Sequence, residues 1–466
     1  MENFWVQRPN WINPALSIWD SMTVNKQSSA QGTGILPPRE SASSSSNDLS
    51  RQSVIAWPSS ISSVHLQSIR ARLAEEPCAV KLTQTYQIPK LGRINVNLDS
   101  KSTIGFSQSR GERAYQEDFS SFSSLDLPES DLDKSLRSIH RSSLVGRLSS
   151  SFGVSSQTLF AAIIDGHGGP DSAQYLSQNL PSLIESCRPS DIPNVIQTYR
   201  SLGGYFKRFR GGHLEEAGSK VFSNQHVTLS LSERLSLAFL LADQHLIHSH
   251  PKSGAVATVV LLSPLPSQND PTRYPFFLSP LLALTIAHLG DTLALLCSAQ
   301  DGKAQVLTQK HHPDSRIESE RLRKIGTGLI TDSFGQSRWG GTLANSRGLG
   351  DARFKKLGIT GEPDASTQIL KGDDYSFLVL ATDGILDVIT NQEIIDLCKG
   401  FKTPTEAASS VVEFAEQLGA RDNMSVMVIP LLKWNETCNQ KDWTLERREY
   451  RMKQLDGRNS GRQRRM

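Results

Sequence analysis

The stretch Phe160–Gly169 reads FAAIIDGHGG, an apolar run that stops abruptly at Asp165, Gly166 and His167. A short, continuous apolar run that is followed by turn residues is typical of a strand buried on both faces of its sheet. The polar end places a carboxylate, an imidazole and several glycines where the backbone can approach a ligand closely. A carboxylate at such an edge suits a hard divalent cation, which prefers oxygen ligands. The alternative is a tight turn that carries an Asp and a His by chance.

The same design recurs at two later places in the chain. The apolar segment Phe377–Ala381 leads to Asp383, and Asp422 stands just before the apolar segment Ser425–Leu431. If these strands meet in one sheet, their ends bring Asp383 and Asp422 to the same rim as Asp165. Carboxylates that close repel one another, and a bound cation would resolve the repulsion. Oxygen ligands favour Mg²⁺ or Mn²⁺ over zinc, and two such ions about 3.5–4 Å apart can activate a water and clamp a phosphoryl group.

Composition bounds the class of protein. The chain has 466 residues, enough for one large domain with tails, and its net charge of +3 gives no reason to expect a nucleic-acid partner. Its five cysteines are scattered without a CxxC pair, as expected of reduced intracellular thiols. No apolar stretch is long enough to span a bilayer, and the N-terminus has no clear targeting signal. We therefore expect an intracellular monomer, cytoplasmic or mitochondrial, without a transmembrane segment.

The chain divides into three segments by composition. Residues 1–75 include the serine run Ser41–Ser46 and too little apolar surface to offset the entropy cost of ordering, which predicts a disordered Ser-rich segment. Residues 76–433 have a globular composition, interrupted by the Ser-rich stretch Leu127–Ser156, which predicts a surface loop. Residues 434–466 are rich in arginine and predict a basic, solvated C-terminal tail.

Periodicity inside the globular segment predicts helices that alternate with buried strands. Apolar residues at helical spacing predict helices over Ser172–Ser186 and Leu231–His248. The segment Leu281–His288 is typical of a strand that ends at Gly290–Asp291, and we expect Leu293–Ser298 to be its hairpin partner.

Two further motifs leave their function open. Between Gly203 and Gly212 the chain mixes aromatic with basic residues, which suits either a phosphate- or acid-binding loop or an amphipathic turn that packs its rings. His311 and His312 precede Pro313, a pattern that suggests either a metal site or a turn with a helix cap. Both motifs thus have an explanation that requires no ligand.

Taken in order, the acidic and glycine-rich motifs resemble those of the protein phosphatase 2C family of metal-dependent serine/threonine phosphatases. The resemblance covers about residues 100–432. It is carried by Arg113 with Glu117–Asp118, by Asp165–Gly169, Gly290–Asp291, Leu343–Asp351, by Asp383–Gly384 with Asp387, and by Asp422–Met424. Each motif is short, but the ordered set is specific. The long N-terminus and the segment between Gly203 and Gly212 are similar to a divergent fungal branch of the family, some of whose members are mitochondrial.

The resemblance implies both a fold and an activity. The expected fold class is α+β, a four-layer α-β-β-α sandwich of two mainly antiparallel sheets flanked by helices, with the metal ions at one end. The expected reaction is the hydrolysis of phosphoserine and phosphothreonine in proteins by a water that two Mn²⁺ or Mg²⁺ ions activate. Phosphoproteins are the implied substrates, and a weaker third metal position is implied as well.

The resemblance also assigns the central metal ligands. Asp165 bridges the two ions, and Gly166 supplies a backbone carbonyl. Asp383 and Asp422 complete the ligands of one ion. These assignments come from the family's motif and not from the spacing of the residues.

Further residues of the motif surround this centre. Glu117 and Asp118 are expected to hold metal-bound waters. Asp291 and Asp387, together with Asp383, match the weaker third metal position. All of these residues are acidic, as oxygen ligation of a hard cation requires.

Two residues are expected to act on the substrate. Arg113 grips the phosphate, a task that suits the bidentate geometry of a guanidinium group. His167 protonates the seryl or threonyl oxygen that leaves.

The sequence departs from the family pattern in places. The family usually has Ser-Gly-Ser-Thr-Ala where this chain has Ser253–Thr258, and often Asp-Ser-Arg where this chain has Asp291–Leu293. These departures concern the third metal position and leave the two-metal centre intact. The segment Arg316–Trp339 stands where the family has its variable flap, so the choice of substrate does not carry over.

Two other functions compete with an active protein phosphatase. A pseudophosphatase would keep the fold as a binding or regulatory module, and it would be favoured by the loss of a bridging carboxylate. A metal-dependent hydrolase of small phosphate esters would keep the chemistry but not the protein substrate.

Overall fold

A computed structural model describes residues 22–25, 80–139, 156–250, 252–267, 270–323, 329–331, 337–339 and 343–463. Its strands are β1 (Met22–Asn25), β2 (Thr83–Ile88), β3 (Gly92–Asn97), β4 (Gly105–Ser109), β5 (Phe119–Leu127), β6 (Ser156–His167), β7 (Gly254–Pro264), β8 (Leu281–Leu289), β9 (Leu293–Ser298), β10 (Ala304–Val306), β11 (Leu329–Thr331), β12 (Ser337–Trp339), β13 (Leu349–Gly350), β14 (Asp364–Lys371), β15 (Tyr375–Ala381) and β16 (Met424–Pro430). Its helices are α1 (Glu129–Ile139), α2 (Asp171–Ser186), α3 (Ile192–Leu202), α4 (Glu215–Phe222), α5 (Leu231–Ser249), α6 (Arg316–Leu322), α7 (Asp383–Leu386), α8 (Asn391–Leu397), α9 (Pro404–Gln417) and α10 (Leu445–Gln463).

Most of the described strands belong to two antiparallel sheets. The first sheet has the strand order β14-β8-β7-β6-β5, with the short β13 paired to β7. The second sheet has the order β10-β9-β15-β16-β4. Strands β1 to β3 form a smaller sheet, and β11 pairs with β12. Every pairing is antiparallel, as expected for a sandwich of this class.

Strand β6 lies inside the first sheet and is apolar on both faces. Leu159 and Ile163 belong to the core between the two large sheets, where they meet residues of the second sheet. Phe160 and Ile164 belong to a second core, which lies between the first sheet and its helices. Because successive side chains of a strand alternate between faces, both cores draw on one continuous apolar run. The prediction of a strand buried on both faces is confirmed.

Helices cover the outer face of each large sheet. Helices α2 and α5 pack on the first sheet, and α9 packs on β4 and β16 of the second. Helix α5 begins with a capping box, in which the Ser230 hydroxyl accepts a hydrogen bond from the Glu233 N–H. The four-layer α-β-β-α sandwich is therefore confirmed, as are the two helices predicted from periodicity.

The turn at Gly290–Asp291 crosses from one sheet to the other. Strand β8 pairs with β7 and β14 in the first sheet, whereas β9 pairs with β10 and β15 in the second. The prediction that β8 and β9 form a hairpin is therefore wrong. Both strands are apolar on each face, so their composition does not reveal which sheet each one joins. Glycine is required at position 290, because a Cβ there would lie 2.2 Å from the Val256 side chain. The backbone φ of Gly290, +106°, also favours glycine.

The Ser-rich stretch Leu127–Ser156 contains a helix in its first part. Helix α1 buries Leu132 and Leu136, which are one helical turn apart. Its Asp131 carboxylate accepts a 2.7 Å ion-pair contact from the buried Arg234 guanidinium. The prediction of a loop throughout is wrong here, because two leucines and one buried ion pair suffice to dock a short helix. Residues 140–155 lie outside the described part of the chain.

The two ends of the chain differ from the prediction where they are described. Strand β1 lies within residues 1–75 and pairs with β3; the rest of that segment lies outside the described residues.

At the C-terminal end, Trp434 is 1% exposed, and its ring packs edge-on against Phe377 with ring centroids 5.5 Å apart. In helix α10, Arg451 bonds to the Glu393 carboxylate. The segment from Trp434 to Arg451 therefore packs on β15 and α8 and is not a solvated tail, because one large aromatic residue and several ion pairs hold it. The division into three segments otherwise stays a prediction.

No helix in the described part of the chain combines the length and the apolar character that crossing a membrane requires.

Candidate metal centre

Three aspartates meet at one end of the sandwich. Asp165 lies near the end of β6, Asp383 directly after β15, and Asp291 in the turn that crosses between the sheets. One carboxylate oxygen from each lies within 4.8 Å of the others. The acidic rim is thus assembled from both large sheets and not, as the sequence suggested, from the strand ends of a single sheet.

Burial and mutual repulsion act on these carboxylates. Burial raises the pKa of Asp165 well above its usual value, and the nearby Asp383 and Asp118 raise it further. Burial, followed by the charges of Asp291 and Asp387, raises the pKa of Asp383 to about 7. Such a group of acids is stabilised by a cation placed between its oxygens. The donor set is carboxylate oxygen throughout, so the residues present fit Mg²⁺ or Mn²⁺.

Glu117 and Asp118 border the three aspartates. Asn423 fixes this segment, because its side-chain oxygen accepts a 2.7 Å hydrogen bond from the Glu117 backbone N–H. The Glu117 carboxylate accepts a hydrogen bond from the Gly169 N–H. Burial raises the pKa of Asp118 to about 6, although its carboxylate accepts a 2.8 Å hydrogen bond from the Thr382 hydroxyl.

Gly166 is needed for this close packing. A Cβ at this position would lie 2.5 Å from the backbone oxygen of Glu117 and 2.9 Å from the Cβ of Ala173. Strand β6 and the acidic segment therefore touch through backbone. The Gly166 carbonyl, which is a predicted metal ligand, belongs to the residue that follows Asp165 in β6.

Arg113 and Asp422 form an ion pair at the edge of the cluster. The Arg113 side chain is 55% exposed, so its guanidinium faces solvent as well as the acids. The charge of Asp422 contributes to the raised pKa values of Asp118 and Asp383, which places its carboxylate beside both.

The His167 imidazole is held by Asp351. Its Nε2 lies 3.0 Å and 3.1 Å from the two carboxylate oxygens of Asp351. Burial of the ring opposes protonation, but the Asp351 carboxylate outweighs it and raises the pKa of His167. Asp351 has a φ of +48°, a left-handed conformation that Asp tolerates better than most residues. In the sequence, Asp351 is only the last residue of the Leu343–Asp351 motif, and its contact with His167 was not predicted.

Both oxygens of Asp291 contact donors from the chain. The Asn345 amide nitrogen donates a 2.8 Å hydrogen bond to Oδ1, and the Lys310 ammonium lies 3.3 Å from Oδ2. Asp387, the other residue expected at the third metal position, is exposed after α7. Lys310 belongs to none of the motifs and was not predicted, and Asn345 lies inside the Leu343–Asp351 motif without a predicted role.

His311 supports the turn that carries Asp291. Its Nδ1 accepts a 3.0 Å hydrogen bond from the Gly290 N–H, and its Nε2 lies 2.9 Å from the Asp364 carboxylate. Among the described residues, the potential metal ligands that lie close together are three aspartates, and His311 is not one of them. The structure thus supports the turn interpretation for His311.

The aromatic and basic segment between Gly203 and Gly212 lies beside a separate cleft of about 980 Å³. Phe206 is buried, and its ring packs edge-on against Tyr199 with ring centroids 4.9 Å apart. Arg208 and Arg210 are exposed and line the cleft. The rings therefore pack as an amphipathic turn would, and binding of an acidic ligand stays a prediction.

Comparisons with known proteins identify the family to which the chain is similar. Residues 128–424 match the family described as protein phosphatase 2C. Protein phosphatase 2C homolog 4 of Schizosaccharomyces pombe is 35% identical over 309 residues, which cover 62% of this chain and 76% of that protein. The mitochondrial protein phosphatase 1K of Xenopus laevis is 30% identical over 281 residues, which cover 60% of this chain and 62% of that protein.

Solved structures give matches of lower identity. A serine-threonine phosphatase 2C from Toxoplasma gondii is 16% identical, with a TM-score of 0.47, and the match covers 75% of this chain and 99% of that one. The family match alone spans more than half of the chain. The chain therefore belongs to the protein phosphatase 2C family of metal-dependent serine/threonine protein phosphatases.

Proposed function

We propose that the chain removes phosphate from phosphoserine and phosphothreonine in proteins, at a centre that binds two Mn²⁺ or Mg²⁺ ions. The observation that carries this proposal is the meeting of Asp165, Asp291 and Asp383 within 4.8 Å at one end of the sandwich. Carboxylates at that spacing repel one another, and divalent cations offset the repulsion. We assign the activity to residues 76–433.

Six residues would hold the two ions. Asp165, the Gly166 carbonyl, Asp383 and Asp422 would hold them directly. When bound, the ions supply an activated water and neutralise charge on the phosphoryl group. The remaining two residues, Glu117 and Asp118, would contribute through water, and hydrogen bonds with Asn423 and Thr382 hold them in place.

Arg113 would bind the substrate. Its half-exposed guanidinium pairs with Asp422, so it lies at the edge of the centre and remains accessible from solvent. A phosphate competes well for a guanidinium because it accepts two parallel hydrogen bonds. Binding through Arg113 would orient the phosphate toward the acidic cluster.

His167 would complete the reaction. The seryl or threonyl oxygen that leaves needs a proton, and a positioned imidazolium supplies one. Because Asp351 binds Nε2, the Nδ1 of His167 remains to donate that proton. The charge of Asp351 also favours the protonated ring that a general acid requires.

Phosphate release by purified protein tests the proposal. With Mn²⁺ present, the protein should release phosphate from a phosphothreonyl peptide, and excess chelator or Asp383→Ala should abolish the release. A small phosphate ester, assayed in parallel, should be hydrolysed less efficiently than the peptide. If a folded protein releases no phosphate with Mn²⁺, the enzyme proposal fails and a pseudophosphatase takes its place.

A further inference from the structure

We propose that the ammonium of Lys310 takes the place of the third metal ion, so that this chain binds two divalent cations and excludes a third. This inference rests on the proposed two-metal function. At the third position, two of the chain's own donors, the Lys310 ammonium and the Asn345 amide, already contact the Asp291 carboxylate.

Lys310 and Asn345 occupy the carboxylate of Asp291 from two sides. The Lys310 Nζ lies 3.3 Å from Oδ2, and the Asn345 amide nitrogen lies 2.8 Å from Oδ1. The Asp291 side chain is 5% exposed, so its carboxylate is approached from within the site and not from solvent. A metal ion bound to Asp291 from this side would have to displace one of these two donors.

The backbone holds Lys310 beside Asp291. The next residue, His311, donates its N–H to the Gly290 carbonyl at 2.7 Å and accepts the Gly290 N–H on its ring. The two segments are thus joined directly next to the ion pair. These bonds fix the backbone of Lys310, and from there its side chain, which is 53% exposed, reaches Oδ2 of Asp291.

The surrounding charges favour a cation at this place. Besides Asp291, the carboxylates of Asp383 and Asp387 attract the Lys310 ammonium. These are the three acids expected to hold a third metal ion. A fixed charge of +1 among them reduces their attraction for a further divalent ion and repels it directly. A lysine therefore supplies part of the charge of a metal ion without depending on the metal concentration.

The number of bound ions tests the proposal. We would measure Mn²⁺ bound per chain by equilibrium dialysis of the full-length protein, across a wide range of free Mn²⁺. Wild type should bind two ions, and Lys310→Met, which keeps the length of the side chain but not its charge, should bind a third with weaker affinity. Lys310→Arg should keep the count at two, and the double variant Lys310→Met/Asp291→Asn should return it to two.

Each other outcome overturns a different claim. Three ions bound to wild type, or two bound to a folded Lys310→Met protein, would refute the role of Lys310 and leave the two-metal function intact. Fewer than two ions bound to wild type would refute the proposed two-metal function itself. Should Lys310→Met not fold, the wild-type count still decides between two ions and three.

Discussion

His167 depends on its neighbour for both its orientation and its charge. Asp351 contacts Nε2 through both carboxylate oxygens, and it lies at a left-handed backbone position next to β13. A general acid must point its proton at the leaving oxygen, so a residue that fixes the ring affects catalysis without touching the substrate.

We expect Asp351→Asn to lower kcat about 10- to 100-fold, since second contacts to reactive groups typically have effects of this size. Asn tolerates the same left-handed φ, so the backbone should not change. KM and the number of bound Mn²⁺ ions should stay close to wild type. The basic side of the pH–rate profile should shift to lower pH, because the ring loses its anionic partner and its pKa falls. A variant with wild-type kcat and pH profile would show that Asp351 is not a positioning residue.

Glu318 anchors the short helix α6 through charge. Its carboxylate accepts hydrogen bonds from Arg347 at 2.6 Å and from Arg321 at 2.7 Å. Burial of Glu318 opposes ionisation, yet the two arginines outweigh it and lower its pKa to about 2. A carboxylate with a lowered folded-state pKa stabilises the fold above its unfolded-state pKa and loses this effect as the pH falls.

We therefore expect Glu318→Gln to destabilise the protein by about 3 kcal/mol at pH 7, because folding lowers the pKa of Glu318 from 4.5 to about 2. The difference in unfolding free energy between wild type and variant should shrink as the pH falls from about 4.5 towards 2. Denaturant titrations at several pH values measure it. A difference that does not change over this range would contradict the electrostatic explanation.

At the scale of elements, the sequence predicted which segments form strands and helices better than it predicted which strands pair with each other. The burial of β6 on both faces follows from its apolar run, and the helices α2 and α5 follow from their periodicity. The crossing from β8 to β9 does not, because pairing partners are chosen by packing across the whole sandwich. Helix α1 was not predicted, because its apolar face has only two leucines.

The same distinction holds for the candidate site. The acidic residues Asp165, Asp291 and Asp383 were identified from motifs, and the structure brings them together. The contacts of Lys310 with Asp291 and of Asp351 with His167 were not predicted, because each joins residues that belong to no shared motif. Their roles stay proposals that the experiments above test.

Trp434 shows that the C-terminal segment belongs to the folded unit. Its side chain is among the largest that are fully buried, and it packs against Phe377 of β15. We expect Trp434→Ala to destabilise the protein by about 3–5 kcal/mol, as large-to-small changes at buried aromatic residues do. Trp443→Ala is the matched control: this residue is 42% exposed, so its loss should cost much less. Chemical denaturation of both variants measures the effect, and equal losses would contradict the buried role of Trp434.

The whole molecule is a sandwich whose two sheets contribute opposite sides of one acidic site. Asp165 comes from the first sheet, whereas Asp383 and Asp422 stand next to β15 and β16 of the second. Without a cation these carboxylates push the ends of the two sheets apart. A divalent ion that binds them together therefore links the sheets, and binding energy that depends on the folded state adds to stability.

We expect Mn²⁺ at about 100 times its dissociation constant to raise the free energy of unfolding by about 2.7 kcal/mol for each site filled. Thermal unfolding with Mn²⁺ and with excess chelator measures this shift directly. Asp383→Asn is the informative control. It removes one of the repelling charges, so its metal-free form should be more stable than metal-free wild type, while Mn²⁺ should stabilise it much less. If Mn²⁺ stabilises the variant as strongly as wild type, Asp383 is not a ligand, and the ions do not join the sheets through it.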